Sequence, residues 1–89
     1  MNKEDIVKTY SIYENGEPFG VVYPTKQRAI RVYLEHIENE EKLDDYWKEK
    51  AKQHRENLEK GLVQVLTTTK IIRTNEEFET IKGDELIWN

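Results

Sequence analysis

The chain has 89 residues, a formal net charge of −4 and no cysteine. This length allows one small domain over residues 1–89, and the lack of cysteine excludes disulfides and thiolate metal ligands. The net negative charge disfavours general nucleic-acid binding. No apolar run approaches the roughly 20 residues that span a bilayer, and no signal-peptide pattern is present. We therefore expect a cytoplasmic protein.

The first predicted element is a β-hairpin centred on Asn15-Gly16, which separates two runs rich in β-branched and aromatic residues. Asn-Gly is the preferred centre of a two-residue type I′ turn. Such a turn pairs Ile12 with Phe19 and Tyr10 with Val21, which places these apolar side chains on one face.

The second arm of this hairpin is expected at a sheet edge, because Pro18 has no N–H to donate to a neighbouring strand. The two-residue loop also sets Glu14 opposite Glu17, an unfavourable pair of like charges. A longer loop of four residues is therefore the alternative.

The central segment is predicted to be helical, because the 35 residues from 26 to 60 contain neither glycine nor proline. Thr25 is a natural N-cap at its start, and Gly61 suits the left-handed position after its end. Residues 39–42 interrupt the apolar pattern. We expect the chain to turn there into an antiparallel helical pair, with one long bent helix as the alternative. The first half has a broad apolar face, formed by Ala29, Ile30, Tyr33, Leu34 and Ile37.

The second half of the segment carries a narrower apolar stripe with the spacing of a coiled-coil seam. This stripe belongs either to the core of the chain itself, the preferred interpretation for Trp47, or to the seam of a homodimer. In the first case His54 is a hydrogen-bonded packing residue, and in the second it meets its copy in the partner. The stripe consists of Leu43, Trp47, Ala51, His54 and Leu58.

The last third of the chain is predicted to form antiparallel strands, because β-branched residues dominate residues 62–72. Residues 74–77 also have the form of a capping box, so a short helix to Lys82 is the alternative. We prefer a hairpin across residues 82–84, since the apolar residues 86–88 need a strand partner. The fold class is therefore α+β: an N-terminal β-hairpin, two helices or one long bent helix, and C-terminal antiparallel strands in a small sheet.

The sequence shows few groups that could do chemistry. His36 and His54 are the only histidines, and they form no His-x-x-x-His pair of the kind that binds metal. Paired carboxylates lie in hydrophilic runs, without the pocket that acid–base catalysis needs. No nucleophile triad or phosphate-binding glycine loop is present. We therefore predict no enzyme activity, no metal and no cofactor.

An acidic cluster around residue 40 is the strongest candidate for a binding surface. It is either an ordinary solvated helix end or a docking surface for a basic groove on a protein partner, because carboxylates along a helix can imitate the spacing of backbone phosphates. A neighbouring aromatic residue fits the composition of a binding hot spot. The predicted partner-binding residues are Glu35, Glu38, Glu40, Glu41, Asp44, Asp45 and Tyr46.

The basic half of the second helical segment supports a different function. Lys48, Lys50, Lys52 and Arg55 could contact nucleic acid, but interspersed acids leave only a small positive balance. Pairing with neighbouring acids explains these charges equally well. Nucleic-acid binding is therefore the weaker hypothesis.

The leading functional hypothesis is a small acidic, non-enzymatic protein that binds a macromolecular partner and modulates or inhibits it. In size, acidity and lack of cysteine, the chain resembles accessory proteins of bacteriophages and mobile elements. These include inhibitors of host nucleic-acid enzymes, such as anti-CRISPR proteins. The resemblance is one of composition, and it implies a basic nucleic-acid-binding enzyme as partner. The alternatives are a nucleic-acid-binding module and an oligomerising structural subunit.

Overall fold

The computed structural model describes residues 7–70 and 74–81. Four antiparallel strands form one sheet in the order β2-β1-β3-β4, and the two helices connect the edge strand β2 to the central strand β3. The predicted α+β class is confirmed. The elements are β1 (Val7–Glu14), β2 (Glu17–Tyr23), α1 (Lys26–Glu41), α2 (Asp45–Glu59), β3 (Val63–Lys70) and β4 (Thr74–Thr80).

The first hairpin turns as the sequence predicts, over the two residues Asn15 and Gly16. Their φ angles of 54° and 82° are the positive values that a type I′ turn requires. Ile12 pairs with Phe19, as expected, so the alternative prediction of a four-residue loop is wrong. Strand β2 lies at the edge of the sheet, as the lack of an N–H on Pro18 predicts.

Beyond Ile12 the predicted register is wrong. Tyr10 pairs with Tyr23 rather than with Val21, because β2 contains a bulge between these pairs. Gly20, at φ 82°, supplies the positive φ in this part of β2. The bulge leaves Val21 65% exposed and brings Tyr23 against the core.

Two helices form where the sequence predicts an antiparallel pair, so the single long helix is wrong. Thr25 begins α1, and its side-chain oxygen accepts a hydrogen bond from the Arg28 N–H at 3.1 Å. Residues 42–44 connect the helices. Asp44 then caps α2 by accepting from the Trp47 N–H at 3.5 Å. This cap starts a new helix, because its extended backbone interrupts the helical path.

Helix α2 ends at a Schellman motif, as the position of Gly61 indicates. Gly61 has φ 73°, its N–H donates to the carbonyl of Leu58, and the Leu62 N–H donates to the carbonyl of Asn57. The motif reverses the chain directly into β3. A further hydrogen bond, from the Asn15 N–H to the Leu62 carbonyl at 2.7 Å, ties the first hairpin to this reversal.

The core lies between one face of the sheet and helix α1, with α2 packed mainly against α1. The predicted apolar face of α1 supplies Ala29, Ile30, Tyr33 and Ile37 to it, all at most 1% exposed. Leu34 packs at its margin. The sheet contributes Ile12, Val63 and Val65, and Ile81, which follows β4, is also part of the core.

The apolar stripe of α2 divides between core and surface. Ala51 is completely buried within the chain, and Leu58 is partly buried against the core. His54 is also enclosed, with its side chain only 15% exposed. Leu43 and Trp47 are 51% and 41% exposed, so the expectation that Trp47 is a core residue is wrong.

Residues 74–80 form the edge strand β4, so the short helix suggested by the capping-box pattern is wrong. Pairing with β3 favours the strand over the helix. Phe78 lies opposite Leu66, and its ring contacts that of Tyr13 edge-on at a centroid distance of 5.2 Å. The hairpin predicted across residues 82–84, and the apolar residues 86–88, lie outside the described residues. Within residues 7–70 and 74–81, neither helix has the length and apolar character needed to cross a membrane.

Candidate functional site

A group of polar side chains lies at the contact between α1, α2 and the end of β1. Helical spacing brings Tyr33, His36 and Glu40 to neighbouring positions on α1, because residues three and four apart share a helix face. His54 approaches from α2, and Glu14 is the last residue of β1. Three elements therefore place five titratable side chains in one location.

Glu14 connects the strand to both helices. Its Oε2 accepts a hydrogen bond from the hydroxyl of Tyr33 and lies 2.6 Å from Nδ1 of His54. The side chains of Glu14 and His54 are each 15% exposed. Burial raises the pKa of Tyr33 well above its usual value, and the hydrogen bond to Glu14 and the negative charges of Glu14 and Glu40 act in the same direction.

Glu40 is the most deeply buried acid among the described residues, at 5% exposure. Its Oε2 lies 3.3 Å from Nε2 of His36, and its Oε1 lies 3.4 Å from Nε2 of His54. Oε1 is buried and accepts no hydrogen bond from the described residues. A buried carboxylate oxygen without a donor is costly, by about 1–3 kcal/mol or more, so this position is unusual for a purely structural acid.

Aromatic packing encloses one side of these groups. The ring of Phe19 meets those of Tyr33, His36 and His54 edge-on, at centroid distances of 4.9, 5.1 and 5.5 Å. Such contacts hold the imidazoles in fixed orientations. The other side is open, because the side chain of His36 remains 46% exposed.

His36, Glu40 and His54 together form what we call the histidine–glutamate cluster. One ligand atom from each residue lies within 4.8 Å of the others, which is a spacing that a metal ion can bridge. The sequence contains no His-x-x-x-His pair, so no metal-binding motif reveals this group. The spacing of His36 and Glu40, four residues apart on a helix, was a usable signal, whereas the approach of His54 depends on how the helices pack.

A second surface lies at the connection between the helices. Leu43, Tyr46 and Trp47 are 51%, 62% and 41% exposed. The two aromatic rings contact each other edge-on at 5.1 Å. Together with the exposed acids Asp44 and Asp45, these side chains form what we call the helical tip.

The acidic residues predicted to bind a partner are not all on one surface. Glu35, Glu38, Asp44 and Asp45 are exposed, and Tyr46 lies beside the last two. The expectation that Glu40 belongs to an exposed acidic surface is wrong, because it turns inward to the histidines. Four of the six predicted acids are therefore exposed, although Asp44 also caps α2, whereas Glu40 and Glu41 make side-chain contacts within the chain.

Glu41 and Arg55 join the two helices through a bidentate ion pair, with Nε–Oε2 at 2.5 Å and Nη2–Oε1 at 2.9 Å. The hydrogen bonds from Arg55 lower the pKa of Glu41, and the same contact raises the pKa of Arg55. This pairing commits one of the four cations in the predicted basic patch. The remaining members of that patch, Lys48, Lys50 and Lys52, are exposed.

Comparisons with known proteins add no family to these observations. No protein-family model matches the chain, and no curated protein or solved structure is significantly similar to it.

Proposed function

We propose that the protein is a non-enzymatic binding protein of the cytoplasm that uses the helical tip to occupy the surface of a protein partner. The observation that supports this proposal most directly is the exposure of three large apolar side chains, Leu43, Tyr46 and Trp47, within five residues of chain. Exposed apolar groups that lie together are typical of interaction sites, and Tyr and Trp are enriched in binding hot spots.

The charges around the helical tip indicate the chemistry of the partner. Asp44 and Asp45 directly precede the aromatic pair, and Glu35 and Glu38 are exposed on α1. Lys50 lies 5.6 Å from the centre of the Tyr46 ring. A basic groove with an apolar pocket is complementary to this arrangement. Opposite charges accelerate association at low salt, while the buried aromatic contacts slow dissociation.

Basic grooves of this kind bind nucleic-acid backbones, so a carboxylate surface that fills one would inhibit a nucleic-acid enzyme. We therefore propose that the protein inhibits such an enzyme, in a role similar to that of an anti-CRISPR protein. The composition of the chain suggests the same role. The nucleic-acid-binding alternative has less support, because Arg55 is paired with Glu41. The dimer seam also has less support, because Ala51 is buried within the chain itself.

Affinity capture with a matched pair of variants tests the proposal. The double substitution Tyr46→Ser and Trp47→Ser removes the aromatic pair of the helical tip. The control, Val21→Ser and Val22→Ser, removes a similarly exposed apolar pair from β2, where the two valines are 65% and 61% exposed. Each immobilised protein is incubated with lysate of a low-GC bacterium at 50 mM and 300 mM salt, since the frequent Lys and Asn of the chain are typical of AT-rich genomes.

The expected result is a protein retained by the parent and by the valine variant but lost by the aromatic variant, with weaker retention at high salt. Equal retention by all three proteins, or capture by none, contradicts the proposal. In a parallel arm, fluorescence anisotropy measures binding to labelled DNA and RNA at 50 mM salt. Micromolar binding that falls steeply with salt would replace the proposal with the nucleic-acid alternative.

A further inference from the structure

We propose that the histidine–glutamate cluster is a binding site for a divalent transition-metal ion of the Zn²⁺ class. The site uses an imidazole nitrogen from each of His36 and His54 and a carboxylate oxygen from Glu40. This inference is independent of the proposed function, since the helical tip contributes no ligand. Three observations carry it: the ligand spacing, the unpaired oxygen of Glu40, and the support that Glu14 provides behind His54.

The spacing of the ligand atoms fits a small tetrahedral ion. Nitrogen and oxygen ligands lie about 2.0–2.2 Å from Zn²⁺, so two ligands of a tetrahedral site are separated by about 3.3 Å. Nε2 of His36 lies 3.3 Å from Oε2 of Glu40, and Nε2 of His54 lies 3.4 Å from Oε1 of Glu40, while one ligand atom from each of the three residues lies within 4.8 Å of the others. Each histidine nitrogen therefore already lies at a tetrahedral ligand spacing from an oxygen of Glu40.

The hydrogen-bonding pattern leaves a place for a cation. Glu14 lies 2.6 Å from Nδ1 of His54, so we assign the proton of the neutral imidazole to this nitrogen, which then donates to the carboxylate. In a neutral imidazole, Nε2 then presents a lone pair to Oε1 of Glu40, which accepts no hydrogen bond from the described residues. Two acceptors that face each other repel, and a metal ion between them converts the repulsion into two coordinate bonds.

Glu14 and Tyr33 act as positioning residues behind this site. A metal-binding histidine commonly donates its second ring N–H to a carboxylate, which fixes the tautomer and the ring orientation. Glu14 occupies that position behind His54, and the hydroxyl of Tyr33 donates to the same carboxylate oxygen. The arrangement resembles a supported ligand more closely than an isolated surface histidine.

The donor set indicates the class of metal. Two imidazoles and one carboxylate suit Zn²⁺ and its neighbours in the transition series, whereas Ca²⁺ and Mg²⁺ prefer oxygen ligands. The exposed His36 leaves an access route for the ion and a fourth coordination position for water. Because the ligands come from α1 and α2, a bound ion also joins the two helices.

Titration of tag-free, metal-stripped protein tests the inference. Isothermal calorimetry with ZnCl₂ is expected to show one ion per chain, and Co²⁺ is expected to give the visible absorption of a four-coordinate ion. Binding should raise the melting temperature by roughly 10 °C or more at 100-fold excess over Kd, because ligand that binds only the folded state stabilises it.

Four variants separate this site from adventitious binding. His36→Ala alters a half-exposed ligand, and Glu40→Gln keeps the shape of the buried one. Each is expected to weaken zinc binding more than about 100-fold, since loss of a supporting residue alone costs about 10–100-fold, the effect expected for Glu14→Gln. Glu38→Gln, an exposed acid on the same helix, serves as the control and should leave the affinity unchanged.

Several results would overturn the inference. Zinc affinity weaker than millimolar in the parent, or unchanged affinity in His36→Ala, contradicts it directly. Equal loss in Glu38→Gln and Glu40→Gln indicates adventitious binding by surface acids. If Glu40→Gln does not fold, the comparison of His36→Ala with Glu38→Gln still decides the question, because both positions are exposed.

Discussion

The buried phenol of Tyr33 makes a specific prediction about stability at alkaline pH. Tyr33 is 1% exposed and donates to Glu14, and this environment holds its pKa well above the ordinary value near 10. Below pH 10 both the folded and the unfolded chain keep the proton. Above pH 10 only the unfolded chain releases it, so the stability contributed by Tyr33 falls as the pH rises.

The size of this effect follows from proton linkage. With an unfolded pKa near 10, the contribution of Tyr33 falls by about 1.4 kcal/mol between pH 8 and pH 11. Tyr33→Phe removes the ionisable group together with its hydrogen bond to a charged acceptor, and it should cost about 1.5–3 kcal/mol at pH 8. The stability difference between parent and variant should therefore shrink by about 1.4 kcal/mol at pH 11.

Urea denaturation of both proteins, in metal-free buffer at constant ionic strength, measures this difference at the two pH values. Subtracting the variant from the parent cancels the titration of the other groups. Tyr46→Phe is the matched control, because its ring is 62% exposed and its phenol lies in water in both states. A parent-minus-Tyr33→Phe difference that stays constant up to pH 11 would refute the reasoning, since it would mean that folding does not hold the phenol neutral.

Three further predictions concern the framework of the site, and urea denaturation checks each of them. Ile37→Ala should cost about 2–5 kcal/mol because this side chain is completely buried, whereas Val22→Ala at an exposed position should stay within about 0.5 kcal/mol. Gly61→Ala should cost about 1 kcal/mol, because φ is 73° at this position and alanine is strained there. Arg55→Gln should cost less than about 1 kcal/mol, because the ion pair is half-exposed. That cost should shrink in 1 M salt. It should also shrink as the pH falls below the ordinary pKa of a glutamate, because the pKa of Glu41 is lowered by Arg55 and the pair is lost once this carboxyl is protonated.

Much of the architecture can be predicted from the sequence, because it depends on short-range rules. Asn15-Gly16 meets the φ requirement of a type I′ turn, Thr25 caps a helix, and Gly61 ends one in the left-handed conformation. Each of these signals involves only a few neighbouring residues. Hydrophobic periodicity also predicts the buried face of α1. Over the described residues, these signals together predict the number and order of the elements correctly.

At the helical tip, hydrophobic spacing does not predict the burial of individual side chains correctly. The spacing of Trp47 is that of a core residue, yet α2 packs on α1 through Ala51, and the tryptophan remains 41% exposed. The register of β2 failed for a related reason. A bulge near Gly20 allows Tyr23 to pack against the core, and the local sequence does not predict this bulge.

The histidine–glutamate cluster belongs to tertiary structure for a clear physical reason. Helical periodicity alone brings Glu40 close to His36, but the third member, His54, arrives only because residues 42–44 fold α2 back along α1. From the sequence, Glu40 is predicted to be a solvated acid, whereas in the folded chain it is 5% exposed and lies between two imidazoles. Backbone preferences act between near neighbours and can be read along a chain, while the burial and pairing of a charge depend on what distant segments bring to it.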